Sequence, residues 1–392
     1  MAANDVNLGL ARIMRAAIMH TAENGMRFEE IGTLQAMSSP QLLGLKKAMS
    51  AEVADGEKRL SIEKGPGGVD DIIPVIRLNY KQQYVPAETR NTRQVVDGGE
   101  EMKDPVELDV RYNNHREYDH KFYTLDLIKL EGEARRYLAR NMNGFTQDVG
   151  QLGGLIEVGS EILSTIEQGL LVPINTSVLS ALIAGIGGNL MYGKTAPANL
   201  ALPNIPLFNT DGTARKDFWQ WINLLKRIHK IKGKLIVVGG KLLVKFMEDQ
   251  KVASMNDIIL NQQAMYNTLA VEWYYDPQID ITYGPGKIIL MDAGAACMQT
   301  ILEHEYIVKQ KKVANTSFSS AAVQIAQYDS GSFAMRFDIR AREYDTGKYP
   351  YFTVTPSAHW GTFVRPAGYH KLYGGWDTVT GIYGAQLVET LE

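Results

Sequence analysis

The residues from Gly188 to Thr195, Gly-Asn-Leu-Met-Tyr-Gly-Lys-Thr, fit GxxxxGK[ST]. At that spacing backbone N–H groups wrap a polyphosphate, the lysine reaches its terminal phosphates and the threonine hydroxyl holds magnesium. Further along, Lys-Ile-Ile-Leu-Met-Asp from Lys287 reads as a buried strand ending in Asp292, the carboxylate that would complete such a site. The chemistry also requires a helix to open directly after the threonine, so that its N-terminus faces the anion. Pro197, Pro203 and Pro206 deny that helix, and Asn189, Leu190, Met191 and Tyr192 are bulky where an anion nest favours small residues. The segment is therefore expected to be a structural turn, with a P-loop-type NTPase using Gly188–Thr195 and Asp292 as the alternative.

The other reactive side chains form no set. His115 and His120 are five residues apart, a spacing that would place them on different sides of a helix. His304 lies in Glu-His-Glu without the HExxH spacing of a metal-binding helix. There is no GxSxG elbow, and Cys297, between Ala296 and Met298, reads as a small buried hydrophobe. No catalytic residue, cofactor or metal is assigned, and an enzyme is not expected. Two charged clusters remain. Asp97, Glu100, Glu101 and Asp104 make an acidic stretch, and Lys226, Arg227, Lys230, Lys232, Lys234, Lys241 and Lys245 make a basic one containing no Asp or Glu. The bland reading of each is a solvated surface; the functional reading of the basic one is a patch that meets phosphate or an acidic neighbour, for which the acidic stretch around Glu100 and Glu101 of another subunit is a candidate.

Those clusters are carried by a recognisable succession of elements. Leu10, Ile13, Met14, Ala17 and Ile18 form one apolar helical stripe. A second helix is expected from Ser39 and Pro40 through Val53, so that residues 1–68 read as a helical arm. From Ile72 to Val85 the pattern becomes β-like, and Val106, Leu108, Val110 and Tyr112 alternate with Glu107, Asp109, Arg111 and Asn113. The polar stretch between Pro86 and Pro105 would be the tip of that long hairpin. Helical spacing follows over about 125–140, then a stronger helix from Asp148 to Gln168, expected to end at Gly169 and Pro173. Residues 174–212 read as turns and short segments because glycine and proline interrupt them. Asp217–Lys230 reads as an amphipathic helix through Phe218, Trp221, Leu224, Leu225 and Ile228. A buried strand, a Gly239-Gly240 turn and another helix come next, the order of an α/β unit. The end is β-rich, with Phe333, Met335, Phe337 and Ile339 alternating and Tyr-Asp-Thr-Gly-Lys turning the chain into Tyr-Pro-Tyr-Phe-Thr-Val.

Composition sets the outer bounds. The 392 residues, 45% hydrophobic and 22% charged, suit a globular chain of two or three packed units. With 41 Lys and Arg against 44 Asp and Glu, the net charge of −3 creates no global attraction to nucleic acid or anionic membranes. A single cysteine cannot close an intramolecular disulfide, which fits a chain made in reducing cytosol. The first residues lack the unbroken apolar stretch of a signal peptide, and no run of 18 apolar residues predicts a membrane span.

Taken in order, helical arm, projecting hairpin, long helix, glycine- and proline-rich crossover, compact α/β unit and β-rich return, the chain resembles the major capsid proteins of tailed bacteriophages, the Hong-Kong-97-like fold. The resemblance implies an α+β fold with an N-terminal arm at 1–68, an extended hairpin loop at 69–115 and a peripheral domain with a spine helix at 116–200. It also implies an axial domain at 201–320 and a return to the peripheral domain at 321–392. It further implies self-assembly through pentamers and hexamers into an icosahedral shell around packaged double-stranded DNA, touched non-specifically. Portal, scaffolding or decoration proteins would be partners, with synthesis in the host cytoplasm, residence in the virion and no membrane. An encapsulin-like cargo shell shares that fold. The expected intersubunit contact pairs Glu100, Glu101 and Asp104 with Arg111, Lys226, Arg227, Lys230, Lys232 and Lys234.

Overall fold

The computed structural model describes residues 31–37, 60–64, 72–80, 106–111, 114–117, 120–123, 166–188, 203–215, 217–229, 231, 233–254, 271–292, 295–301, 317–328, 331–344, 351–364 and 380–390. The stripe at 10–18, the helix from Ser39, the helical spacing at 125–140, the hairpin tip and most of the Asp148–Gln168 helix lie outside them. Two compact units emerge, one comprising 1–31, 112–175 and 299–361, the other 32–111, 176–298 and 362–392.

In chain order, the second unit begins with a short helix, α1 (Gly32–Met37), and a three-stranded antiparallel sheet of β1 (Leu60–Lys64), β2 (Ile72–Tyr80) and β3 (Val106–Arg111). The predicted alternation sets the register of the last two: Ile76 stands opposite Val110, Leu78 opposite Leu108 and Tyr80 opposite Val106, with Arg77 opposite Asp109 between them. Strand β1 is a correction, because residues 1–68 were expected to be helical or glycine-rich. Leu-Ser-Ile-Glu-Lys alternates over too few residues to signal a strand alone, and its pairing with β2, Leu60 opposite Ile76 through Lys64 opposite Ile72, makes it one.

The first unit contains β4 (Asn114–Glu117) and β5 (His120–Tyr123), so His115 and His120 sit on strands rather than a helix. Next comes a π-helical turn, Glu167–Leu171, that runs directly into α2 (Val172–Ala184). The expected stop at Gly169 and Pro173 is therefore corrected. Proline breaks a regular helix because its ring meets the carbonyl four residues back and its N–H is missing. Here the preceding turn is widened, Val172 donating its N–H to the Glu167 carbonyl, and the carbonyl at issue belongs to Gly169. Leu170, Leu171, Ile174, Val178, Leu179 and Leu182 are all fully buried, so burial on several sides carries the helix through a sequence that reads as broken.

The α/β unit is built from β6 (Asn204–Pro206), α3 (Asp217–Ile228), β7 (Leu235–Gly239), α4 (Lys241–Ser254), β8 (Val271–Tyr275), α5 (Pro277–Thr282) and β9 (Lys287–Met291). After β10 (Ala296–Ile301), β11 (Ser317–Tyr328), β12 (Gly331–Tyr344) and β13 (Tyr351–Val364), the chain returns to it with β14 (Ile382–Val388). The five strands lie in the order β6-β14-β9-β7-β8, with β7 parallel to β8 and antiparallel to β9. Leu235 through Val238 and Ile288 through Met291 are completely buried, the mark of central strands covered on both faces. The other large sheet places β10, β13, β12 and β11 in that order, with β4 and β5 also pairing β13. Its β11–β12 hairpin carries an irregularity between Gln324 and Ala326.

One face of the five-stranded sheet is covered by α3 and α4. Phe218, Ile222, Leu225, Leu243 and Phe246 pack there against Leu235, Val237, Ile288 and Leu290. Aromatic rings fill the layer edge to face, Phe218 to Phe246 at 5.5 Å and Trp219 to Trp273 at 5.5 Å. The buried face of α3 is thus Phe218, Trp219, Ile222 and Leu225, which corrects the expected stripe: Leu224 is 48% exposed and Trp221 half-buried.

The Gly239-Gly240 turn opens α4 and is filled by Asp280 of α5. Its carboxylate accepts the Lys241 N–H at 2.9 Å and the Gly286 N–H at 3.3 Å, satisfying donors that the first helical turn leaves over. A Cβ on Gly240 would overlap that carboxylate. Asp280→Ala should cost about 1 kcal/mol locally, read as roughly fivefold faster hydrogen exchange of the α4 first-turn amides, and Gly240→Ala should displace the same carboxylate with at least that effect. Unchanged protection in both variants would show that α4 does not depend on this cap.

Beneath the end of α3, His229 is 9% exposed and lies tilted against Tyr383 with ring centroids 4.4 Å apart. Burial lowers its pKa from 6.5 to about 4. Because the folded value lies below the unfolded one, the neutral ring contributes stability in full above pH 6.5, and that contribution is lost as pH falls from 6.5 towards 4. The loss should reach about 3 kcal/mol. Thermal melts of the parent and of His229→Phe across that pH window should show an acid sensitivity in the parent that the variant lacks.

Candidate functional site

The basic cluster is distributed over three elements of the α/β unit. Lys226 and Arg227 close the last turn of α3, where cations complement the carbonyl end of a helix. Arg227 is exposed, whereas Lys226 is half-buried and its pKa is lowered by desolvation, an effect that the nearby Asp292 carboxylate opposes. Lys234 leads into β7 and pairs with Glu272 of β8 at 2.9 Å. Lys241 is exposed at the start of α4, and Lys245, one turn on, pairs with Glu389 at 2.8 Å while its Nζ lies 5.4 Å from the Phe208 ring centre. Lys230 and Lys232 lie outside the described residues.

The 226–245 segment has no acidic residue of its own, yet among the described residues the fold brings to it Glu272 of β8, Asp280 of α5, Asp292 after β9 and Glu389 after β14. Lys234 and Lys245 are 49% and 56% exposed, so their pairs contribute little, about 0 to 1 kcal/mol each. Beside the cations, Leu224 faces outward on α3.

Arg111 ends β3 opposite Val75. Glu100, Glu101 and Asp104 fall in the connection between β2 and β3, outside the described residues. Because Tyr80 and Val106 are register partners, both ends of that connection leave the sheet at the same edge.

The phosphate-loop motif is placed by what precedes it. Gly188 follows the C-terminal end of a helix rather than a strand, and a helix C-terminus presents carbonyls, the wrong polarity for phosphate. That end is pinned to the start of β14, since Thr380 donates its hydroxyl to the Gly185 carbonyl at 2.7 Å and Gly187 donates its N–H to the Ile382 carbonyl at 3.0 Å. Residues 189–195 lie outside the described set. Asp292 follows β9 as expected, but its N–H is donated to the Gly381 carbonyl and its carboxylate acts on Lys226. The second place where an anion could have met a helix N-terminus, the turn after β7, holds Asp280. Among the described residues no group of three or more His, Cys, Asp or Glu side chains could hold a metal ion, and no helix is long and apolar enough to cross a membrane.

Sequence reasoning passed over the two carboxylates of the Asp276–Asp280 segment. Asp276 is completely buried and caps α5 by accepting the Gln278 N–H at 2.9 Å. It also accepts the Thr33 N–H at 2.9 Å and the Thr33 hydroxyl. The signal that would have found this helix start is Asp276-Pro277, a capping residue followed by proline in the first turn.

No protein-family model matches the chain, and no curated protein matches it in sequence. Similar solved structures exist. A chain from Mycobacterium phage Che8 shares 10% identity over 80% of this chain and 84% of its own, with a TM-score of 0.34. One from the cyanophage A-1(L) capsid asymmetric unit shares 8% over 81% and 88%, with a TM-score of 0.44. One from the capsid of Myoviridae phage XM1 shares 9% over 93% and 94%, with a TM-score of 0.34. Each of these similar chains comes from a phage, and the last two belong to capsids.

Proposed function

We propose that this chain is a structural major capsid protein that assembles with copies of itself into an icosahedral phage shell and performs no catalysis. The observation that carries the reading is the sheet β1-β2-β3. It is drawn from one continuous stretch of chain, its strands pair only with one another among the described residues, and its β2–β3 connection is long, polar and acidic towards its end. Three strands are the fewest that hold a sheet on a hydrophobic face of their own, and on this reading a neighbouring subunit covers that face. On this reading the arm is 1–68, with β1 joining the extended loop at 69–115, the peripheral domain and its spine helix fall within 116–200, the axial domain is 201–320 and the return is 321–392. The α3 helix and β7 would present Lys226, Arg227, Lys230, Lys232 and Lys234, with Arg111 of the loop, to the acidic tip of another copy. Packaged DNA, a portal and scaffolding or decoration proteins would be the other partners, with the virion as destination after synthesis in host cytoplasm.

The NTPase alternative is disfavoured because its loop follows a helix C-terminus. The parent protein should show no magnesium-dependent ATP affinity for Lys194→Ala to abolish; measurable affinity lost in that variant would restore the alternative.

Purified chain at high concentration should form capsomers, tubes or closed shells, visible by sizing and negative-stain microscopy, and a stable monomer with or without a scaffold would overturn the proposal. Reversing Glu100, Glu101 and Asp104 to lysine together should leave circular dichroism unchanged. Assembly should slow or stop, most at low salt, where repulsion is least screened. Assembly like the parent's at low ionic strength would reduce the tip to a solvated loop.

A further inference from the structure

The sheet built around β13 has two unlike faces. In antiparallel strands, directly opposite residues share a face, with Cβ atoms about 5 Å apart. Tyr351 stands opposite Tyr123 of β5 on one side and opposite Tyr344 of β12 on the other. Two residues along, Thr353 stands opposite Lys121 and Arg342. In the third row on the same face, Thr355 stands opposite Arg340, which in turn stands opposite Phe318 of β11. The reverse face of these strands is apolar through Phe122, Phe352, Val354, Pro356 and Ile339, with Glu343 at its end. It leads on to Ala358 and Trp360, which are buried.

The three rows thus hold Lys121, Arg340 and Arg342 and no carboxylate, in a chain whose net charge is −3. The first acids met on this face, Glu117 and Asp338, stand opposite Ser357 in the fourth row, where Ser357 is completely buried. Neighbouring strands lie about 4.8 Å apart, so three tyrosines abreast make an aromatic strip about 10 Å wide. The row of Lys121 and Arg342 runs beside it at about 7 Å, two residues along the strand. Cations alone would suit any polyanion, an acidic peptide included. An aromatic row next to them is the combination that holds single-stranded nucleic acid, whose bases stack on rings while its phosphates meet positive charge. Duplex DNA keeps its bases stacked on one another and gains from the cations only.

We propose that this face binds single-stranded nucleic acid, with Tyr123, Tyr351 and Tyr344 as the stacking row and Lys121, Arg342 and Arg340 as phosphate contacts. The site goes beyond the shell-subunit reading and does not depend on it, because binding is measured on the full chain whether or not it assembles. The probe is a fluorescein-labelled oligothymidylate of roughly 20 nucleotides, longer than one such site, followed by anisotropy beside a duplex of equal length. Oligothymidylate should bind about tenfold tighter than the duplex, with an affinity that falls as salt rises. Tyr351→Ala should cost about tenfold, and Tyr351→Phe, which keeps the ring, should cost little. Arg342→Gln should weaken binding and flatten its salt dependence. Should Tyr351→Ala disturb circular dichroism, Tyr344→Ala in the same row carries the same expectation. Absence of binding, or a duplex held as tightly as the single strand with the tyrosine variants indifferent, would overturn the site. So would capture of a peptide of residues 93–105 in place of the oligonucleotide, since the partner would then be an acidic segment of protein.

Discussion

Two carboxylates four residues apart, one capping and one within a short helix, tie α1 and the start of α4 to the α/β sheet. Asp276 begins α5 and binds α1; Asp280, one turn later, closes the N-terminus of α4. Through them α1, the end of β8 and the turn after β7 are tied to the same helix of only six residues. Each bond carries a charge on its acceptor and is shielded from water to a different degree, which makes it stronger than an ordinary neutral hydrogen bond. The glycines follow from this arrangement. Gly32 and Gly240 are required where backbone or carboxylate comes too near for a side chain.

The same arrangement explains why a unit with the local order of a nucleotide-binding fold lacks an anion site in the turn after β7. In such folds the helix N-terminus after a glycine turn meets phosphate. Here the protein's own carboxylate occupies that position. The other glycine-rich candidate lies beyond a helix C-terminus, where the field has the opposite sign.

The charged surface follows the same logic of local compensation. Lys226, Lys234 and Lys245 each face an acid contributed from a distant part of the chain. Exposed pairs of this strength bring little stability to one subunit. The sheet β1-β2-β3, by contrast, pairs only within itself among the described residues.

Strands with strict alternation were legible in the sequence: β2, β3 and β12 follow the period-two pattern, and the runs Leu235–Gly239 and Lys287–Met291 are central strands as their continuous apolar character implied. Period and composition suffice there because each strand's neighbours demand the same pattern along its whole length. The sequence also determined the start of α4 and the span of α3, though not its buried face. Phe218 and Leu225 belong equally to a stripe with Trp221 and Ile228 or to one with Trp219 and Ile222, and only packing on the sheet chose the second. Tertiary structure alone made Leu60–Lys64 a strand, since five residues acquire a register only from a partner. It alone carried a helix through Gly169 and Pro173, because burial and a widened turn outweighed the local penalty. It alone joined Thr33 to Asp276 and Asp280 to Lys241, contacts between residues far apart in sequence whose spacing holds no period for a reader of the chain to find.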